Sequence, residues 1–214
     1  KAGVGVVLVP TIMKDINVNQ IGKIINFAID NMHDVRGVHF QPVSFFGRYE
    51  NRDENYRITI PKMLNEIEEQ MKGKMKIENF MGGGAENSYC SFHGNFLVNE
   101  DKSLKPLGSK SNCCCKPTSS KQSREFVAKQ WSAVKKSSNK KDARNNFTKS
   151  LDDFLDRFDN YTLAISAMLF QDVWNVDLDR LKQCYIHVVS EDMKLIPFCA
   201  YNLTNIDNKS LYRR

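Results

Sequence analysis

The chain has 214 residues, of which 41% are hydrophobic and 26% charged, and a net charge of +6. This balance suits a globular protein of one large or two small domains with a sizeable core. It excludes a membrane-spanning helix, because no apolar run approaches the roughly 20 residues that one needs.

The opening run Val4 to Val9, closed by Pro10, reads as a strand buried on both faces in a parallel sheet. It is too short for a signal peptide and lacks a small-residue cleavage site. The absence of an initiator Met reads as a chain that begins in mid-domain. Asn17 and Gln20 stand at capping spacing, and Ile21, Ile24, Ile25 and Ala28 then mark one face of a helix. Val35 to Pro42 reads as a second strand, so the start of the chain is a βαβ unit with parallel strands. Functional loops of such sheets lie at the carboxyl ends of the strands. Gln41 and Arg48 are the side chains there best suited to hold a carboxylate or a purine edge. A further helix opens at Thr59 with Pro61 in its first turn, and Met63, Leu64, Ile67 and Met71 give it an apolar face.

Gly82, Gly83 and Gly84 mark a change of character. No Lys-Ser/Thr pair comes after them, so they read as a hinge rather than a phosphate loop. Cys90 to Pro117 reads as loop-rich. Val127, Trp131 and Val134 mark one helical pattern, and Phe147, Leu151, Phe154, Leu155 and Phe158 another. Between them Lys135, Lys136, Lys140, Lys141 and Arg144 form a basic linker without the interleaved aromatics that nucleic-acid binding needs, so no nucleic-acid partner is expected. Val173 to Gln183 reads as a short helix.

The six cysteines carry the chemistry. Neighbouring residues such as Cys113, Cys114 and Cys115 reach disulfide geometry with one another poorly. With no secretory signal visible, thiolate metal ligation in a reducing cytoplasm fits better than a disulfide framework, and the sequons at Asn146, Asn160 and Asn202 read as chance. Cys184 to Cys199 reads as a β-hairpin. With an even turn centred between Glu191 and Asp192, Ile186 faces Pro197 and Cys184 faces Cys199, with Cβ atoms about 4.5–5.5 Å apart. An odd turn breaks that register. Two thiolates there, with members of Cys113, Cys114 and Cys115 and with Cys90, make up a Cys₄ site suited to zinc or to an iron–sulfur cluster. His93 is an alternative ligand. No nucleophile–base pair argues for hydrolysis.

The runs Val9 to Asn17 and Val35 to Pro42 resemble the late strands of a radical S-adenosylmethionine barrel. Phe45-Phe46-Gly47-Arg48-Tyr49, Arg57 to Pro61, Cys90-Ser91-Phe92, the cysteine run, Ile186 to Val189 and Leu195 to Asn202 are similar to the radical S-adenosylmethionine proteins related to archaeal tetraether lipid synthase and the pterin dimethyltransferase-like proteins. The resemblance implies an α/β fold: residues 1–80 as the last strands and helices of a partial (β/α) barrel, and residues 81–214 as a cysteine-rich α+β auxiliary-cluster subdomain. It implies a 4Fe–4S cluster and S-adenosylmethionine as cofactors, with Gln41 and Arg48 contacting S-adenosylmethionine or substrate. The implied chemistry is C–C bond formation or methylation at an unactivated carbon of a small-molecule or lipid-like substrate. The CxxxCxxC loop of the family is absent from this chain. The resemblance therefore implies a missing N-terminal half as partner and a chain inactive on its own. The alternative is a non-catalytic structural or redox metal module.

Overall fold

The computed structural model describes residues 4–46, 56–83, 87–107, 119–130 and 160–213. Its centre is a mixed sheet in which β1 (Val6–Leu8), β3 (Val35–Pro42), β7 (Thr162–Met168), β5 (Ser91–Val98) and β4 (Met81–Gly82) lie side by side in that order. β2 (Thr11–Ile12) pairs with β3 beyond β1, and β6 (Leu104–Pro106) pairs with β5. β1, β2 and β7 run parallel to β3, whereas β5 runs antiparallel to β7. The protein is thus α/β, and the expected βαβ unit is present.

The edge strand carries a correction. The run from Val4 to Val9 is not buried on both faces: Val4, Val6 and Val9 are exposed, because β1 lies at the border of the sheet. Pro10 interrupts it without ending the pairing. Its carbonyl accepts from the Gln41 N–H at 3.0 Å, and the chain resumes as β2.

α1 (Ile21–Asp30) buries Ile21, Ile25, Ala28 and Ile29, the face that the isoleucine spacing predicts. α2 (Ile60–Gln70) starts at Thr59, whose hydroxyl accepts from the Lys62 N–H, and buries Met63 and Ile67. Both helices cover one side of the sheet, where Val38, Phe40, Phe92, Phe96, Leu163, Ile165 and Ala167 complete the core. Gly22 lets the two helices meet. Its N–H donates to Gln70 Oε1 at 2.9 Å, and an added Cβ would stand 2.8 Å from Gln70 Cβ.

β5 contradicts the loop-rich reading of Cys90 to Pro117, and β7 is a further strand that the periodicity does not predict. β5 and β7 are long strands with Phe92 and Phe96, and Leu163, Ile165 and Ala167, alternating toward the core. One sheet therefore draws strands from both sides of residue 80. α3 (Ser120–Gln130) covers the start of the first expected later helix. Trp131, Val134, the basic linker and the second pattern from Phe147 to Phe158 lie outside the described residues.

Beyond β7, α4 (Leu178–Lys182) begins at Asp177, whose carboxylate accepts from the N–H groups of Asp179 and Arg180. β8 (His187–Val189) and β9 (Leu195–Pro197) form the expected hairpin, with α5 (Phe198–Tyr201) directly after it. Its register differs from the even turn. His187 faces Pro197, and Val189 faces Leu195. The loop has an odd count: Met193 takes φ +61°, its N–H bonds to the Ser190 carbonyl at 3.0 Å, and the Ser190 N–H bonds to the Lys194 carbonyl at 2.9 Å. This is a three-residue hairpin loop with a left-handed last residue, the position that favours glycine. Cys199 lies in α5, not on a strand, so Cys184 and Cys199 are not cross-strand partners. Asn160 and Asn202 of the sequons are buried.

Two glycine exchanges should act with opposite signs. Met193→Gly relieves the left-handed strain in an exposed turn and should raise stability by about 0.5–1 kcal/mol in urea unfolding. Gly22→Ala should lower it by about 1–3 kcal/mol, because overpacking at the helix contact outweighs alanine's better helix propensity.

Candidate functional site

The carboxyl ends of β3 and β7 lie together because the strands are parallel. β5 is antiparallel, so its beginning, with Cys90 just before it, reaches the same end: Ser91 faces Met168, and the Leu169 N–H donates to the Cys90 carbonyl at 2.7 Å. One ion pair fastens the loops that leave β3 and β7. Asp172, 1% exposed, accepts from Arg57 Nη2 at 2.6 and 2.7 Å, from the Phe45 N–H at 2.7 Å and from the Trp174 N–H at 3.1 Å. The Arg57 guanidinium lies 4.8 Å from the Phe45 ring centroid. This joins the loop after β3, the entry to α2 and the loop after β7. Beside it opens a cleft of about 640 Å³, lined among others by Pro42, Arg57, Tyr89, Phe170, Asp177 and Arg180.

Two thiols lie at this end from separate parts of the chain, and a third comes just after α4. Cys90 is half-buried, and its sulfur accepts from Arg180 Nη2 at 3.3 Å. Arg180 also donates to the Leu169 carbonyl at 3.2 Å. Cys199 is buried, and its sulfur accepts from the Gln171 N–H at 3.2 Å. Packing of Phe198 against Phe170, with ring centroids 4.9 Å apart, and of both against Phe46 seats α5 here. Cys184 is half-buried and lies 3.2 Å from the Ile186 carbonyl, to which it donates. Burial pushes the Cys199 thiol up from its ordinary range. Cys184 and Cys90 add to the rise, and the Gln171 N–H and Arg180 oppose it. The three thiols and the guanidinium thus lie within electrostatic reach of one another.

Arg180 Nε is a buried nitrogen without a hydrogen-bond partner. Among the described residues, no group of three or more His, Cys, Asp or Glu side chains is drawn together to hold a metal ion. The cysteine sulfurs are soft donors of the type that hold zinc or iron, but the described ones are not arranged as a metal centre. Cys113, Cys114, Cys115 and Arg48 lie outside the described residues. Of the cysteines that the sequence singles out, the structure places Cys90 and Cys199 at the carboxyl end of β7 and Cys184 just after α4, without drawing the three into a metal-holding group.

Gln41 is the penultimate residue of β3, half-buried, one residue before cleft-lining Pro42. Strand alternation places it with His39 on the sheet face opposite the helices. On that face His39, Ser166 and His93 occupy directly paired positions on β3, β7 and β5, and His39 Nδ1 lies 2.8 Å from Ser166 Oγ. Burial holds the His39 imidazole below its usual range, favouring the neutral ring. Sequence reasoning misses this row because it rests on the pairing of β7. It also misses Arg57, Asp172 and Arg180, which have no periodic signal. The Asp177–Arg180 cap spacing is the one local clue to Arg180.

The geometry defines an α/β protein with a cleft at the carboxyl ends of its parallel strands and Cys90 and Cys199 at the same end. The chain is 30% identical, over an alignment of 241 positions covering 92% of it, to 7,8-dihydro-6-hydroxymethylpterin dimethyltransferase of Methanocaldococcus jannaschii. It spans about half (48%) of the length of that curated relative. No family model matches the chain. Among the described residues no helix is long and apolar enough to cross a membrane.

Replacing Asp172 by Ala should cost about 3–5 kcal/mol of stability, measured by chemical denaturation. The exchange strips a half-buried guanidinium and two backbone N–H groups of their acceptor at once.

Proposed function

We propose that this chain is the C-terminal part of a radical S-adenosylmethionine iron–sulfur enzyme that methylates, or forms a C–C bond at, an unactivated carbon of a small molecule. The observation that carries the reading is the placement of Cys90, held by Arg180, and of Cys199, held by the Gln171 N–H, at the carboxyl ends of parallel strands. The similarity to a pterin dimethyltransferase over nearly the whole chain supports it and makes a reduced pterin the first substrate to try. So does the family resemblance of the Arg36 to Arg48 stretch. In this reading residues 1–80 contribute closing strands of a partial (β/α) barrel. Residues 81–214 add the cysteine-rich region, four of whose strands, β4, β5, β6 and β7, extend the same sheet.

Cys90, Cys184, Cys199 and members of Cys113, Cys114 and Cys115 would hold an auxiliary 4Fe–4S cluster. Gln41 and Arg48, at and beyond the end of β3, would contact S-adenosylmethionine or substrate. When bound, the cluster supplies one-electron chemistry. The chain's own residues do the rest. Asp172 and Arg57 fix the loops around the cleft, and the aromatic cluster of Phe46, Phe170 and Phe198 seats Cys199 away from water.

The test uses the full open reading frame, which should carry a CxxxCxxC loop. Reconstituted anaerobically and given dithionite, S-adenosylmethionine and 6-hydroxymethyl-7,8-dihydropterin, it should yield 5′-deoxyadenosine and a pterin with added methyl groups. A reading frame without that loop, or a colourless protein that keeps stoichiometric zinc, would sink the proposal in favour of a structural metal module.

A further inference from the structure

The cleft at the carboxyl ends of β3 and β7 has the size and walls of a small-molecule pocket. Its volume of about 640 Å³ lies within the roughly 300–1,000 Å³ usual for such sites. Pro42, Leu169 and Phe170 give it apolar walls. Tyr89 also lines it and is 71% exposed, so a flat ligand has an aromatic surface to cover. The bond from the Leu169 N–H to the Cys90 carbonyl holds the Tyr89–Cys90 segment against the end of β7.

Two side chains of opposite charge, Asp177 and Arg180, line the same cleft three residues apart. Asp177 Oδ1 accepts from the N–H groups of Asp179 at 2.8 Å and of Arg180 at 3.2 Å, which leaves Oδ2 for a ligand. Arg180 Nη2 donates to the Cys90 sulfur and to the Leu169 carbonyl, and Nε is enclosed. Nη1 has no such partner and is not enclosed, so it is the nitrogen that Arg180 presents to the cleft. A carboxylate oxygen has lone pairs for two N–H groups, and a guanidinium nitrogen only donates. Side by side they match a ring edge that runs donor, donor, acceptor. The 2-amino-4-oxopyrimidine ring of pterins and of guanine has that edge: its amino group and ring N–H donate, and its oxo oxygen accepts.

We infer that this cleft holds a flat 2-amino-4-oxo heterocycle of the pterin class. Asp177 Oδ2 accepts from the amino group and the ring N–H, Arg180 Nη1 donates to the oxo oxygen, and Tyr89 and Phe170 cover the ring. The inference rests on the proposed function and names its substrate site. Asp177 and Arg180 are specificity residues and take no part in bond making. A site built for such an edge rejects a ring that turns an acceptor toward the carboxylate, because the polar groups are then left unpaired.

The test is calorimetric titration of the full-length protein, without S-adenosylmethionine, with three ligands. They are 6-hydroxymethylpterin, 6-hydroxymethyllumazine, in which an oxo group replaces the 2-amino group, and guanosine. The wild type should bind the pterin at least about tenfold more tightly than the lumazine. Asp177→Asn keeps a good cap for α4. It should lower pterin affinity about tenfold and narrow the gap to the lumazine. Tyr89→Ala, at an exposed position, should weaken pterin and lumazine alike. Wild-type pterin affinity in both variants, or equal binding of pterin and lumazine by the wild type, would overturn the inference. Tighter binding of guanosine than of the pterin would overturn the pterin assignment. The enzyme class is judged separately, by the 5′-deoxyadenosine that the same preparation forms from S-adenosylmethionine. That product without pterin binding leaves the class standing and removes the pterin site, whereas the absence of both fails the two together.

Discussion

The candidate site depends on one buried ion pair. Arg57 and Asp172 are separated by 115 residues in sequence, yet their contact at 2.6 Å joins the loops that leave the two central parallel strands. Asp172 also takes two backbone N–H groups, from Phe45 and Trp174, so the carboxylate satisfies donors from both sides of the cleft. A buried pair of this kind contributes little net stability compared with an apolar replacement, because desolvation offsets most of the attraction. Its effect is on specificity of arrangement. An Asp172 without Arg57 is an uncompensated buried charge, so alternative placements of the two loops are costly. The cleft, Gln171 and through it Cys199 inherit that placement.

The thiols are positioned by topology rather than by proximity in sequence. Cys90 arrives at the carboxyl end of β7 because β5 is antiparallel to it. Cys199 arrives because Phe198 packs against Phe170, and Cys184 because it comes just after α4, which also carries Arg180. Cys199 is buried and kept as a neutral thiol by that burial, with the neighbouring sulfurs adding to the effect. Bringing a metal to such a thiol means displacing its proton, and the resulting negative charge then needs donors. The Gln171 N–H is such a donor at the Cys199 sulfur, and the Arg180 guanidinium is one at the Cys90 sulfur.

Much of the first part of the fold is legible in the sequence. The spacing Ile21, Ile25, Ala28 fixes the buried face of α1, and the Thr59–Pro61 start fixes α2, because helix periodicity and capping are local. The strand Val35 to Pro42 is equally plain. β5 and β7 are not, although Leu163, Ile165 and Ala167 alternate. Small and polar residues between them weaken the signal, and what makes them strands is pairing with each other. The hairpin is legible but its register is not. Met193 takes a left-handed conformation that its residue type disfavours, so local propensity points to the wrong turn. At the site, residue type identifies the cysteines. Their meeting place, and the part played by Arg57, Asp172 and Arg180, depend on long-range contacts that no spacing encodes.

The central claim is that Cys90, Cys184 and Cys199 act as one metal centre. The most direct measurement is the iron and acid-labile sulfide bound per chain after anaerobic reconstitution, compared between the wild type and a variant with all three cysteines replaced by alanine. The expected outcome is a brown wild-type protein with stoichiometric iron and sulfide and a variant that has lost both. A variant that stays folded and binds as much iron and sulfide as the wild type would contradict the claim.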